Sequence, residues 1–241
     1  TWHDYENRTY GDGKRVYATA GNLLEADAGK VVVELSGNAA NASGTFTAIA
    51  ERLTGDKAGN YKLPENATKE YTIGLAEQKL TFAKTGDQSL TYGDTLENPA
   101  KNNRADGSAV TYTSSDPAVA TVDANGKVTI LKAGGTVITA MAAETAAYEQ
   151  ATATYTLTVE KKTVTVKAKD QTAYVGDKVP ALGADSYTVS GLVGGDTLTT
   201  QPTAKYVDAD GKEIAPDMTK TGEVKILAGG AAASDNYTIR Y

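Results

Sequence analysis

The 241-residue chain contains no cysteine, one histidine and one tryptophan. Without cysteine, and with His3 close to a terminus that we expect to fray, the chain cannot build a Cys-His or Ser-His-Asp nucleophile or a zinc site of the usual ligands. Carboxylate pairs of the kind that glycosidases use remain available, but no single pair stands out. We therefore predict a protein that is not an enzyme, with no catalytic residues and no cofactor.

Concentrated positive charge and long apolar runs are also missing. Residues 1–74 carry 8 basic and 10 acidic side chains, residues 75–160 carry 6 and 10, and residues 161–241 carry 10 and 10. Neutralising nucleic-acid phosphates needs clustered lysine and arginine, so we predict no nucleic-acid partner. No apolar run long enough to span a bilayer and no signal peptide occur, which predicts no membrane insertion. Since no targeting signal is present, we expect a soluble, monomeric fragment of a longer protein.

One short phrase recurs along the chain, as Thr9–Asp12, Thr91–Asp94 and Tyr174–Asp177. Its three tyrosines, at positions 10, 92 and 174, are evenly spaced. A period of about 80 residues matches one small β domain and is too long for a solenoid repeat. Glycine and aspartate are turn residues, and an aromatic ring before them covers the edge of a core, so we interpret the phrase as a strand entering a turn. The alternative is a binding surface lined by these tyrosines.

Strand periodicity fills the chain between these phrases. The strongest example runs from Ala151 to Val159, where apolar residues alternate with four threonines. Such alternation predicts a strand with one buried and one solvent-facing side. Asn125-Gly126 predicts a tight hairpin in which both residues have positive φ. The region from Gly21 to Lys30 predicts only a short helix or an irregular loop.

Three resemblances to bacterial surface repeats follow from longer motifs. The phrase Leu53-Thr-Gly-Asp-Lys-Ala-Gly-Asn-Tyr61 resembles the closing motif of the repeat family named after Tyr-Asp-Gly. The stretch Val110–Asp123, followed by Asn125-Gly126-Lys127-Val128, resembles the group-2 bacterial immunoglobulin-like domain. Residues 174–177, 190–196 and 235–239 resemble MBG repeats of large bacterial surface proteins, with Val175 inserted into the Tyr-Gly-Asp opening.

Together these resemblances imply an all-β protein of three tandem immunoglobulin-like β-sandwich domains in an elongated array. The expected domains are residues 1–74, 75–160 and 161–241, with boundaries near Gly74 and Glu160. Strands of five to eight residues make each domain about 30 to 40 Å long, so the array should approach about 100 Å.

The implied function is a non-catalytic stalk or adhesion segment of a larger secreted or cell-surface bacterial protein. It would space a head domain and contact host glycan or an extracellular protein. The alternative is an accessory carbohydrate-binding module of a multidomain extracellular enzyme. The residues do not identify a ligand-binding site.

One acidic loop, Asp208-Ala-Asp210-Gly-Lys-Glu213, invites a calcium interpretation. Its glycine stands at the fourth position, where an EF-hand loop has it at the sixth, and no glutamate follows at the twelfth. Val207–Lys212 also repeats Val122–Lys127 almost letter for letter, so we predict two hairpin tips and no metal site. A calcium titration should leave the melting temperature unchanged.

Overall fold

The computed structural model describes residues 1–241, and 42% of these residues lie in strands. Short 3-10 turns at Glu25–Asp27, Ala58–Asn60 and Ala184–Ser186 supply the helical structure. The predicted all-β class is therefore confirmed, and the short helix or irregular loop expected between Gly21 and Lys30 is a loop that contains the 3-10 turn Glu25–Asp27. None of the helical segments is long and apolar enough to cross a bilayer.

Twenty strands follow one another along the chain. The first ten are β1 (Trp2–His3), β2 (Arg8–Thr9), β3 (Tyr17–Ala18), β4 (Val32–Ser36), β5 (Gly44–Thr54), β6 (Thr68–Gly74), β7 (Leu80–Phe82), β8 (Gln88–Thr91), β9 (Leu96–Glu97) and β10 (Ala100–Asn102). The others are β11 (Val110–Ser114), β12 (Ala120–Val122), β13 (Lys127–Ile130), β14 (Gly134–Ala142), β15 (Ala151–Glu160), β16 (Lys162–Ala168), β17 (Tyr187–Ser190), β18 (Thr203–Val207), β19 (Lys225–Gly229) and β20 (Tyr237–Arg240).

The chain forms two compact units. One comprises Thr1–Thr81, Ala100–Thr111 and Ala140–Ala153, and the other comprises Phe82–Pro99, Tyr112–Thr139 and Thr154–Tyr241. The strands β7, β11, β14 and β15 have residues in both units. The predicted domain boundaries near Gly74 and Glu160 stay a prediction.

The first unit contains a four-stranded sheet in the order β2-β6-β5-β4. The strand β2 runs parallel to β6, and the other neighbours are antiparallel. Its core consists of Val16, Ala48, Tyr71 and Ile73, all of them buried. The strand β1 pairs with β3, and His3 stacks on Tyr17 with ring centroids 4.6 Å apart. The expectation that His3 lies at a frayed end is therefore wrong, because its strand is paired.

A buried ion pair ties the first turn to this sheet. The Arg8 side chain, with 3% of its surface exposed, donates to both carboxylate oxygens of Asp12, from Nε at 2.7 Å and from a terminal nitrogen at 3.0 Å. Arg8 also donates to the carbonyl oxygens of Lys14 and Asp4. Hydrogen bonding from Arg8 lowers the pKa of Asp12 to about 2.

The strand β15 is the one in which the predicted alternation of apolar residues and threonines is clearest. It lies between β14 and β8 in the sheet β11-β14-β15-β8 and runs parallel to β8. Tyr155, Leu157 and Val159 are buried along it, whereas its threonines at 152, 154, 156 and 158 are all exposed. The predicted two-sided strand is confirmed, because alternate side chains point to opposite faces of a sheet.

The second unit also holds the sheets β12-β13-β9, β17-β16-β20 and β18-β19. The strand β16 runs parallel to β20 and antiparallel to β17. Val164, Leu198 and Tyr237 form the buried centre of this part, and Leu192 and Val193 pack against it. Tyr155 and Tyr237 are only 4% and 6% exposed, which confirms that these tyrosines belong to the apolar side of their strands.

The hairpin between β12 and β13 has a three-residue loop. The N–H of Gly126 donates to Asp123 O, and the N–H of Asp123 donates to Lys127 O. Gly126 has φ of +76°, whereas Asn125 does not have positive φ. The predicted pair of positive φ values is wrong: the connection is a turn followed by a single left-handed glycine, the usual form of a three-residue hairpin loop.

Candidate functional site

The recurrent Tyr-Gly-Asp phrase forms the same turn three times. The N–H of Asp12 donates to Thr9 O, that of Asp94 to Thr91 O, and that of Asp177 to Tyr174 O. In return each aspartate carboxylate accepts the N–H of the residue three positions earlier. The three glycines at the centres of these turns, at positions 11, 93 and 176, have φ of +75°, +93° and +91°. The prediction that a strand ends in a turn here is confirmed for the first two copies, which follow β2 and β8 directly.

These hydrogen bonds correct the alignment of the third copy. Tyr174 occupies the place of Thr9 and Thr91, and Val175 occupies the place of Tyr10 and Tyr92. The inserted Val175 leaves only the local turn type open in the sequence. The three turns are of the same type, but the tyrosine lies one position earlier in the third turn than in the first two. Tyr174 is 80% exposed.

In the first copy the tyrosine packs on a second tyrosine far along the chain. The rings of Tyr10 and Tyr148, which we call the first tyrosine pair, have centroids 5.5 Å apart and meet at 84°. Tyr148 is buried and donates its hydroxyl hydrogen to Asp106 at 2.8 Å. The guanidinium carbon of Arg104 lies 5.4 Å from the centre of the Tyr148 ring. Such edge-to-face pairs contribute stability beyond the burial of their area.

The second copy repeats this arrangement. The rings of Tyr92 and Tyr237, the second tyrosine pair, have centroids 5.4 Å apart and also meet at 84°. The hydroxyl groups of Tyr237 and Tyr92 both donate to Oδ2 of Asp196. The Tyr237 oxygen in turn accepts the N–H of Val193 at 2.9 Å. The two pairs therefore have the same ring geometry, and in each pair a tyrosine hydroxyl donates to an aspartate.

The backbone around the two pairs also matches. Beside the first pair, Tyr10 N–H donates to Gly74 O and Ala76 N–H donates to Ala147 O. Beside the second, Tyr92 N–H donates to Glu160 O and Lys162 N–H donates to Asn236 O. In each case a strand ends beside the turn, and the chain that follows it is bonded beside the second tyrosine. The tyrosine pairs therefore sit at the two points near which domain boundaries were predicted.

Each tyrosine pair has one further hydrogen bond nearby, which involves a side chain and a residue that directly precedes a long strand. Ser43 precedes the first residue of β5, and its hydroxyl donates to Ala146 O. Ala133 precedes the first residue of β14, and its N–H donates to the Asn236 side-chain oxygen at 2.9 Å. Both acceptors lie within two positions of the second tyrosine of the pair.

The environment shifts the acidity of these tyrosines. Burial, together with the nearby Asp196 carboxylate, raises the pKa of Tyr237 to about 12 and raises that of Tyr92. The hydrogen bond to Asp106 raises the pKa of Tyr148. All three hydroxyl groups therefore stay protonated hydrogen-bond donors at neutral pH.

We expect Tyr237→Phe to destabilise the protein by about 1 to 3 kcal/mol, because it leaves the Val193 N–H without an acceptor and removes a donor from Asp196. Tyr155→Phe is the matched control. Burial raises the pKa of Tyr155, and its hydroxyl lies near the Asn98 amide but makes no hydrogen bond of ordinary geometry, because that amide binds the Lys84 backbone on both sides. Urea denaturation should show a loss for Tyr237→Phe and an unchanged or higher midpoint for Tyr155→Phe. Equal losses would contradict this account of the second tyrosine pair.

Two segments of the chain match repeats of bacterial surface proteins. Residues 96–144 match the model of the intimin immunoglobulin-like domain. Residues 164–241 match the model of the MBG domain of YGX type. Both families are immunoglobulin-like repeats of bacterial surface proteins, as the motifs had implied. Tyr237 and Asp196 both lie in the MBG match.

Solved structures give distant similarities. Domains 4 and 5 of the S-layer protein SbsC are 18% identical, with 64% of this chain and 93% of that chain covered and a TM-score of 0.29. Drosophila N-cadherin EC1-4 is 12% identical, with 75% and 51% covered and a TM-score of 0.29. SbsC domains 1-6 are 14% identical, with 95% and 35% covered and a TM-score of 0.30. No curated protein matches the chain.

The acidic loop that invited a calcium interpretation has turn geometry. Oδ1 of Asp208 accepts the N–H groups of Asp210 and Lys212 at 3.0 and 2.9 Å. Oδ1 of Asp123 accepts those of Asn125 and Lys127 in the same way. The two predicted hairpin tips are confirmed as equivalent turns. The absence of a metal at Asp208 and Asp210 stays a prediction.

Sequence reasoning found the first member of each tyrosine pair and missed its partners. Nothing in the local pattern assigns a role to Tyr148, Asp106 or Asp196. A signal existed, because aspartate precedes the second tyrosine by 42 positions in one pair and by 41 in the other. The MBG-matching segment also contains its part of this signal within two motifs of the family resemblance, Ser190–Asp196 and Asn236-Tyr237.

Proposed function

We propose that the chain is a non-catalytic stalk segment of a larger bacterial surface or secreted protein. In this role, tyrosine contacts join successive immunoglobulin-like modules and thereby space a head domain. The observation that supports it most is the repetition of one contact, with the same ring angle and an aspartate acceptor, at both predicted boundaries. The matches to the intimin and MBG repeats support the surface location.

The proposed modules are residues 1–74, 75–160 and 161–241. The linkers at Gly74 to Ala76 and at Glu160 to Lys162 are short, and both ends of each linker are hydrogen-bonded to the backbone. A joint of this length, fixed by buried aromatic rings, limits bending between its neighbours. Restricted bending is the property that a spacer needs.

NMR relaxation of the amide groups tests this function. We expect the amides on both sides of Glu160 to share one rotational correlation time in the unmodified chain. Tyr92→Ala should give the residues after 163 a shorter and separate correlation time, because it removes one ring of the second tyrosine pair. Tyr174→Ala is the matched control, since this ring belongs to the same phrase but is 80% exposed. A Tyr92→Ala chain that tumbles like the unmodified protein would disprove the joint.

The partners that we propose, host glycan or an extracellular protein, would be contacted weakly or not at all by this segment. A glycan array and a host-matrix binding screen test this expectation. Binding to one defined sugar at micromolar concentration or tighter, lost when one or two exposed tyrosines are changed, would instead support the alternative of a carbohydrate-binding module.

A further inference from the structure

A third aspartate-tyrosine arrangement of the same kind lies within the predicted first domain. Tyr61 donates its hydroxyl hydrogen to Oδ2 of Asp27 at 2.9 Å. The Tyr61 oxygen accepts the N–H of Leu24 at 3.0 Å. We call Leu24, Asp27 and Tyr61 the first face.

The first face repeats the hydrogen bonds of the second tyrosine pair. There Tyr237 donates to Asp196 and accepts the N–H of Val193. In both cases the N–H donor precedes the aspartate by three positions, and asparagine precedes the tyrosine. Both sites have the same two hydrogen bonds at the same local spacing. We therefore expect the tyrosine to have the same packing role in both.

The two sites differ in whether a second tyrosine ring covers the hydrogen-bonded tyrosine. Tyr237 is 6% exposed beneath the ring of Tyr92, and Tyr148 is 5% exposed beneath that of Tyr10. Tyr61 is only half-buried, and Leu24 is 71% exposed. Leu24 and the ring of Tyr61, whose hydroxyl is oriented by two hydrogen bonds, therefore leave apolar surface uncovered where the second tyrosine pair has the ring of Tyr92.

We propose that the first face binds the Tyr-Gly-Asp turn of an adjoining immunoglobulin-like module. In this contact a tyrosine ring packs edge-on against Tyr61, as Tyr92 packs against Tyr237. A second copy of this chain is the poorer occupant, because its exposed turn has Val175 where the ring is needed. Such a contact would form whether the whole protein spaces a head domain or binds sugar.

A fusion chain tests the proposal. A copy of residues 75–165 is placed directly before Thr1, so that the copied Gly93 and Gly11 are separated along the chain as Gly93 and Gly176 are. Hydrogen exchange is then followed in peptides that cover residues 20–30 and 58–63. We expect exchange to be about tenfold slower in the fusion than in the unfused chain, since docking suppresses local opening. Changing the copied Tyr92 to alanine should abolish this protection.

Three results would overturn the proposal. One is unchanged exchange at the first face while the strands of the copied segment are themselves protected. Another is protection that survives the alanine change in the copied turn. The third is protection in the unfused chain that grows with protein concentration, which would identify a second copy as the occupant.

If the copied residues 75–165 do not fold, a fusion with residues 1–165 in front makes the same comparison. The copied turn then keeps its own preceding segment. Half of the population of the peptide covering residues 20–30 should exchange slowly in that chain, because only one of its two first faces is covered. A single fast population would contradict the proposal.

Discussion

Gly126→Ala should destabilise the protein by about 3 kcal/mol, which combines the cost of a left-handed alanine with that of an overpacked contact. Gly126 has φ of +76°, where a Cβ atom is disfavoured. A Cβ atom there would also lie 2.7 Å from Cα of Pro99 and 3.0 Å from Asn98 O. These are backbone atoms, which cannot rotate away.

Gly211→Ala is the matched control for this substitution. Gly211 occupies the equivalent position of the second hairpin tip, with φ of +81°, but a Cβ atom added to it would meet no atom within 4 Å. It should cost about 1 kcal/mol, from the backbone conformation alone. Urea denaturation monitored by circular dichroism gives both values. Equal losses would show that the contact with Pro99 is not close, and no loss in either would show that the turns are not left-handed.

Asp12→Asn should destabilise the protein by about 3 kcal/mol at pH 7, because it leaves the buried Arg8 charge without its counter-ion. The bidentate pair is enclosed, with Arg8 and Asp12 side chains 3% and 15% exposed. Glu34→Gln is the matched control. It breaks the ion pair with Arg52, whose side chain is 70% exposed, and should leave the denaturation midpoint unchanged because water screens that pair.

The same carboxylate predicts how stability depends on pH. The pKa of Asp12 is about 2 in the folded protein against an ordinary 3.8, so its charged form stabilises the fold. This contribution, about 2 kcal/mol, is fully present above about pH 4 and is lost as the pH falls towards 2. The stability difference between the unmodified chain and Asp12→Asn should therefore shrink from about 3 kcal/mol at pH 7 to about 1 kcal/mol as the pH falls towards 2. A constant difference from pH 7 to pH 2 would contradict the assignment.

Local pattern by itself determined much of this protein. The alternation from Ala151 to Val159 fixed a two-sided strand, because successive side chains of an extended chain point in opposite directions. The phrases with glycine and aspartate fixed the turns, because these residues have conformational and hydrogen-bonding preferences that need no distant partner. The all-β class and the resemblance to bacterial surface repeats follow from the same short-range information.

Tertiary structure alone decided what the recurrent tyrosines do. Tyr10 and Tyr148 are separated by more than half of the chain, and so are Tyr92 and Tyr237. No periodicity links residues so far apart, and their contact exists only after several strands have paired. The third turn gives the same lesson, since counting positions aligned Tyr174 with Tyr92, whereas the hydrogen bonds place Val175 there. Spacing along the chain gives only the number of residues between two positions. The hydrogen bonds between N–H groups and oxygens define which residues are equivalent in a turn.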